Sequence, residues 1–300
     1  MGSVLIGLVP ALGWGLQGIV MQKVGGTAAN RQMGIVLAAL VSGVVVALLV
    51  PIRWTPTLVA AAAVNGIPWS LAQVLQIKSF DCLGVARTMP LTTGMQLIMT
   101  SIIGALCFGE WPHAWQVVLG SVGIAVLVAG TVLVAYREDA PDAGRATGAA
   151  FRRGVAITAL SAALYVAYGT AARLFSVDSF QIILPQALFM FAATLAISLL
   201  AGGKSAGGAT GSISSAFGKK SWQNMLTGLV WSVSNITLLF SNQLNGVTVA
   251  ATLASMNIIV STLGGLFILH ERKTPRELRF VIAGMALVAA GGIAIGVTKL

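Results

Sequence analysis

The stretch "GIPWSLAQ" at 66–73 recurs as "GLVWSVSN" at 228–235, with Gly66, Trp69, Ser70 and Gln73 meeting Gly228, Trp231, Ser232 and Asn235 at a spacing of 162. Gly84 meets Gly246 at the same spacing. After a one-residue deletion in the second copy, Met95, Gln96, Thr100, Gly104, Glu110, Gly123 and Gly130 meet Met256, Asn257, Ser261, Gly265, Glu271, Gly284 and Gly291. Self-similarity sustained over this length marks an internal repeat. Between the copies runs "REDAPDAGRATGAAFRRG", Arg137 to Gly154, the longest charged and Pro/Gly-containing connector in the chain. It reads as a linker over 137–153 that joins a first unit, 1–136, to a second, 154–300.

What each unit is follows from composition. Of 300 residues, 57% are hydrophobic and 9% charged, and the mean hydropathy is +0.90. Such a chain is an integral membrane protein, not a water-soluble globule. Crossing the hydrocarbon core takes about 20 helical residues. Apolar stretches of that order lie at about 2–21, 33–51, 57–77, 84–107, 114–136, 154–173, 180–200, 222–242, 247–269 and 278–298. They are too long and too uniformly apolar for barrel strands. The expected fold is therefore an all-α membrane protein of ten transmembrane helices. Five helices per unit, an odd number, send the second unit into the membrane from the opposite face, giving two inverted five-helix repeats around a central cavity. The first stretch has no basic start and no small-residue cleavage site, so it reads as helix 1 and not as a secretory signal.

A net charge of +10 would point a soluble protein toward nucleic acid. Here fourteen of the 18 Lys and Arg residues fall in or beside loops that follow odd-numbered helices, against Arg53, Arg173 and Lys299 on the other side, with Arg87 uncounted inside the start of the fourth span. That bias sets orientation, with odd loops cytoplasmic and both termini outside, and no nucleic-acid partner is expected. Cys82 and Cys107 lie near opposite ends of one span, which argues against a disulfide or a metal site. "HERK" at 270–273 lacks the second histidine of a zinc-binding H-E-x-x-H. An enzyme working on lipid-linked sugars would need acids, bases or an arginine cluster at a catalytic spacing. Only scattered loop charges occur, so neither enzymatic activity nor a cofactor is expected.

The polar residues inside the spans carry the functional signal. In "GVARTMPLTTGMQ", Gly84 to Gln96, and the turn beyond it, Thr88, Thr92, Gln96 and Thr100 recur every four residues and share one helix face, with Thr93 at its edge. Asn65, Trp69, Gln73 and Gln76 form a similar stripe on the third span. The second half repeats the idea with Trp231, Asn235 and Asn242, then Asn257 and Ser261, and the first span adds Trp14 and Gln17. Pro90 lacks an N–H and predicts a kink in its helix. An unpartnered polar group in an apolar medium costs several kcal/mol. Either these side chains bond across packed helices, at about 0.6 kcal/mol each, or they line a wet cavity. Stripes on several related helices of a repeat favour the cavity.

Amides and hydroxyls that both donate and accept, beside indole rings and almost no charge, suit a sugar, with its fan of hydroxyls and apolar C–H faces. A phosphate or an amino acid would call for a charged partner, and a lipophilic cation for a buried carboxylate. The expected substrate-binding set is Trp14, Gln17, Asn65, Trp69, Gln73, Gln76, Thr92, Thr93, Gln96, Trp231, Asn235 and Asn257. Inverted repeats around a midplane site are a common design of secondary transporters.

At these residues the chain resembles the glucose/ribose porter family of bacterial sugar transporters, a branch of the drug/metabolite transporter superfamily. The likeness runs the whole length and is clearest in "LVPALGWG" at 8–15, "IPWSLAQVLQIKSF" at 67–80, "GVARTMPLTTGMQL" at 84–97 and "FGEW" at 108–111. It implies a multi-pass protein of the bacterial cytoplasmic membrane that takes up a monosaccharide such as glucose or ribose, with or without a coupled proton. The alternative within transport is export of a drug or metabolite by the same fold. Asp81, Glu110 and Glu271 are the acids open either to proton coupling or to structural anchoring. Gly120, Gly123 and Gly130, with Gly284, Gly291, Gly292 and Gly296, permit close helix contact, either within one chain or across a homodimer face.

Overall fold

The computed structural model describes residues 2–83, 85–134, 136, 148–202, 216–268 and 274–298, and among them the regular structure is entirely helical. In order the helices are α1 (Gly2–Val24), α2 (Ala28–Leu49), α3 (Pro56–Leu83), α4 (Val85–Cys107), α5 (Ala114–Val134), α6 (Gly148–Leu174), α7 (Ile183–Gly202), the short α8 (Lys219–Gln223), α9 (Met225–Asn245), α10 (Val247–Ser255), α11 (Asn257–Phe267) and α12 (Pro275–Val297). Among the described residues eight stretches are long and apolar enough to cross a bilayer, and the chain is a multi-pass membrane protein. These lie in α1, α2, α3, α5, α6, α7, α12 and the joined α10–α11 segment Val247–Gly265. Leu91–Cys107 of α4 is a shorter apolar helix. α9 has 21 residues but buries Thr227, Ser232, Ser234, Asn235, Ser241, Asn242 and Asn245, which lower its apolar character.

The polarity of the molecule is turned outward-in. Leu48, Leu49, Leu106, Val118 and Ile282 are among the most exposed side chains, whereas Gln32, Asn65, Ser70, Thr92, Asn224 and Asn235 are buried. Exposed apolar surface on this scale is what a lipid-facing protein presents. Trp54, Trp115 and Trp222 are exposed near helix ends, where indoles sit at the membrane–water boundary.

Three boundaries differ from the hydropathy reading. α2 begins at Ala28, not near 33, because Thr27 and Asn30 close a reciprocal capping box: the Thr27 hydroxyl accepts from Asn30 N and Asn30 Oδ1 accepts from Thr27 N. Local capping thus starts the helix before its apolar run. α6 begins at Gly148, inside the expected linker, since "GAAF" adds alanines with high helix propensity. The ninth apolar stretch is not one helix. It breaks at Met256, where Met256 N bonds Leu253 O and Ile259 N bonds Met256 O, tighter i→i+3 links that interrupt the α ladder.

Helices from the two units interlock. α3 packs on α6 and α1 on α9; α2 packs on α9 and α3 on α7; α4 packs on α6 and α1 on α10 and α11; α5 packs on α12. Gly66 of α3 lies so close to α7 that an added Cβ would stand 2.5 Å from Gln186 O, and its repeat equivalent Gly228 on α9 would place one 2.7 Å from Ile35 Cα of α2. Polar side chains fasten the same crossings. Gln32 Nε2 donates to Ser70 O and Thr194 Oγ1 at 3.2 Å, and Ser70 Oγ donates to Met190 O at 3.1 Å.

The glycine stripe of α5 and α12 faces inward, one helix against the other. A Cβ on Gly291 would lie 2.6 Å from Gly123 O, and one on Gly130 would lie 2.7 Å from Gly284 O. Those glycines therefore serve packing within the chain. Backbone cannot yield as a flexible side chain does, so Gly291→Val should destabilise by about 1–3 kcal/mol. The thermal unfolding midpoint in detergent checks this, with Gly296→Ala, at a site with nothing within 4 Å, as the neutral control.

Candidate functional site

A cavity of about 210 Å³ lies where helices of both units meet. α1 contributes Trp14 and Gln17, α3 Trp69, Gln73 and Gln76, α4 Thr92, Thr93 and Gln96, α9 Trp231, and α11 Asn257. These ten sequence-derived positions, drawn from five helices, line one space. Trp69 and Trp231, at equivalent places in the repeat, meet with ring centroids 5.0 Å apart, and Tyr168 lies 6.2 Å from Trp231. Together they make a buried aromatic wall.

Asn65 and Asn235 are not among the lining residues. They stand behind the wall and hold Tyr168 from two sides. Asn65 Nδ2 donates to Tyr168 O at 2.7 Å, and the Tyr168 hydroxyl donates to Asn235 Oδ1. Asn242 lines the cavity while its amide donates to Gly169 O at 2.9 Å. Thr92 donates to Thr88 O at 2.8 Å, one turn back on its own helix.

The polar side chains therefore divide into two sets. Asn65, Asn235 and Asn242 are engaged across helices. Among the described residues, Gln17, Thr93, Gln96 and Asn257 make no side-chain hydrogen bond to protein, although all four line the cavity. Neutral amides that face a cavity without protein partners are groups that water or a ligand must satisfy. Asn257 reaches this position because the break at Met256 starts a new helix at that residue.

Two lining residues, Tyr165 and Tyr168 on α6, were not anticipated. The Tyr165 hydroxyl lies 2.6 Å from Gln73 Oε1 and 3.1 Å from Gln76 Oε1. Their signal was present in "SAALYVAYG", 161–169: two of the chain's three tyrosines sit three apart inside an apolar span. A phenol placed there needs a partner.

Glu110 anchors one edge of the site. Its Oε1 accepts from Arg173 Nη1 at 2.7 Å and from Val247 N at 2.5 Å, and its Oε2 accepts from Thr248 N at 2.8 Å. It thus caps the first turn of α10, where N–H groups lack helical partners and negative charge is favoured. Gly246, at φ +84, leaves room for the carboxylate; a Cβ there would stand 2.9 Å from Glu110 Oε1. Arg173 also donates to Asn242 O at 3.3 Å and lies 4.8 Å from the Phe108 ring centroid. On its other side is a groove of about 500 Å³ lined by Arg173, Ser176, Asp178, Asn242 and Gln243, so that Asn242 borders both spaces. The expectations placed on the Asp81 and Pro90 side chains and on Glu271 lie outside the described residues.

A family model described as sugar transport protein matches residues 5–298. A Listeria monocytogenes protein provisionally named as a sugar uptake protein is 35% identical over 297 residues, covering 99% of each chain. The glucose uptake protein of Bacillus subtilis is 32% identical over 297 residues, again covering 99% of each. One crystal structure superposes with a TM-score of 0.67 at 17% identity, covering 98% of each chain, which shows a shared fold.

Truncating the anchor tests its weight. Glu110→Ala leaves Arg173 and the N–H groups of Val247 and Thr248 without their acceptor, and should cost about 1–3 kcal/mol. A drop in the detergent unfolding midpoint is expected, and an unchanged midpoint would show that the carboxylate does not hold α10.

Proposed function

This chain belongs to the sugar transport protein family, and on that premise we propose that it is a secondary transporter that takes up a monosaccharide of the glucose or ribose class across the bacterial cytoplasmic membrane by alternating access. The observation that carries the proposal is the cavity between the units, where Gln17, Gln96 and Asn257 are without partners among the described residues and Trp14, Trp69 and Trp231 supply apolar faces. The amides bond sugar hydroxyls while the indoles cover the C–H faces. Gln73, Gln76, Thr92 and Thr93 complete the contact surface, and Asn65 and Asn235 brace the aromatic wall from behind. A volume of about 210 Å³, below the roughly 300–1,000 Å³ of drug-sized pockets, favours a single sugar ring over a larger drug. The relative named for glucose uptake makes glucose the first sugar to try.

The architecture in this proposal is ten spans in two inverted five-helix repeats, 1–136 and 154–300. α4 and α9 act as the two spans of lower apolarity, because they wall the cavity. Support comes from the matched crossings: α3 on α6 answers α1 on α9, and α2 on α9 answers α3 on α7. Exchange of conformation between two such halves opens the site to alternate sides. Glu110 and Arg173 sit between the cavity and the groove that shares Asn242, where they tie α6 to the start of α10.

Counterflow of radiolabelled glucose and ribose into proteoliposomes loaded with unlabelled sugar tests the function directly. Transient accumulation of label is expected, and none with either sugar in folded protein would overturn it. An inward-directed proton gradient that drives accumulation identifies symport, and one without effect identifies facilitated diffusion. Gln96→Ala and Asn257→Ala should each raise the half-saturation concentration by about 3- to 10-fold, the worth of one neutral hydrogen bond, with the unfolding midpoint little changed. Unaltered half-saturation in both variants would show that the sugar binds elsewhere.

A further inference from the structure

The α3–α6 wall of the cavity sets one phenol beside two amides. Tyr165 carries one hydroxyl proton, and two amide oxygens lie within reach: Gln73 Oε1 at 2.6 Å and Gln76 Oε1 at 3.1 Å. The nearer oxygen takes the proton. An unrestrained glutamine turns its amide over readily, because the two ends are nearly the same shape while one donates and the other accepts. Gln73 is restrained: with Oε1 held by Tyr165, its NH2 end is the part left for other contacts. Among the described residues Gln73 Nε2 has no protein acceptor, and the side chain lines the cavity. Among the described residues Gln17, Gln96 and Asn257 have no such tether, and each can donate or accept.

We infer that Tyr165 is a specificity-determining positioning residue, which holds Gln73 as a donor-only contact so that the cavity reads one ligand hydroxyl as a hydrogen-bond acceptor. The inference rests on the reading of the cavity as a monosaccharide site. It adds a rule of selection: the ring position facing Gln73 needs an atom with lone pairs and does not need a proton. Fluorine meets that requirement in part, and hydrogen does not.

The test is competition against labelled glucose uptake by a panel of monodeoxy and monodeoxyfluoro glucoses, using the full chain in proteoliposomes. In the wild-type protein one ring position should stand out, where the deoxy analogue competes roughly 3- to 10-fold less well than glucose and the fluoro analogue loses less than about 2-fold. In Tyr165→Phe the deoxy penalty at that position should fall below about 2-fold, with penalties at other positions unchanged. Gln73→Glu keeps an acceptor for Tyr165 but has no N–H; its carboxylate accepts from a ligand hydroxyl and repels fluorine, so at that position the fluoro analogue should lose at least as much as the deoxy analogue. This second variant decides the matter if Tyr165→Phe does not fold, as judged by gel filtration in detergent. A merely structural tyrosine would scale all analogues together or lower only the maximal rate, and that result overturns the inference while leaving sugar transport intact. The absence of any position at which fluorine is tolerated overturns it as well. Failure of the wild-type protein to take up any hexose or pentose overturns the transport reading, and this inference with it.

Discussion

A bilayer interior supplies no hydrogen-bond partner, and every polar group carried into it must find one in the protein or in a water-filled space. The backbone meets that demand by forming helices. Side chains meet it one at a time, and their choices organise this molecule. Asn65, Asn235 and Asn242 are engaged by α6, and Gln32 by α3 and α7. Gln17, Gln96 and Asn257 are left facing the cavity. The engaged amides act as glue between helices, and the unengaged ones define the space that a ligand would fill. Both kinds lie on the same helical stripes, so the stripe alone does not separate them.

Close approach of helices from opposite halves keeps that space small. Gly66 and Gly228 let α3 and α9 press on α7 and α2, and Gly123, Gly130, Gly284 and Gly291 bring α5 and α12 backbone to backbone. Removing a Cβ at these crossings exchanges helix propensity for van der Waals contact, the main attraction available between helices in lipid. The lining helices α1, α3, α4, α6, α9, α10 and α11 are thereby set around the cavity, with α5 and α12 paired against each other.

Breaking a helix within this framework exposes backbone ends that need their own partners. The join at Gly246 creates an N-terminus at α10, and Glu110 satisfies it from across the molecule while holding Arg173. The break at Met256 has a different use, since it begins α11 with Asn257 at the cavity. A chain that read as one apolar span therefore supplies two helix ends, one closed by a charge and one turned to the cavity.

The sequence by itself determined the all-helical membrane class and the polar stripes, because hydropathy and helical periodicity are local properties that survive without tertiary knowledge. Ten of the twelve residues expected at a binding site line one cavity, since a helix face follows from spacing alone. Only the tertiary structure decided which polar groups are engaged. Tyr165 and Gln73 are 92 residues apart, Asn65 and Tyr168 are 103, and Glu110 and Arg173 are 63. Hydrogen bonds over such separations depend on how helices pack, and no periodicity along the chain encodes them. The same limit hid the inward direction of the glycine stripe, which is set by what lies against it in space.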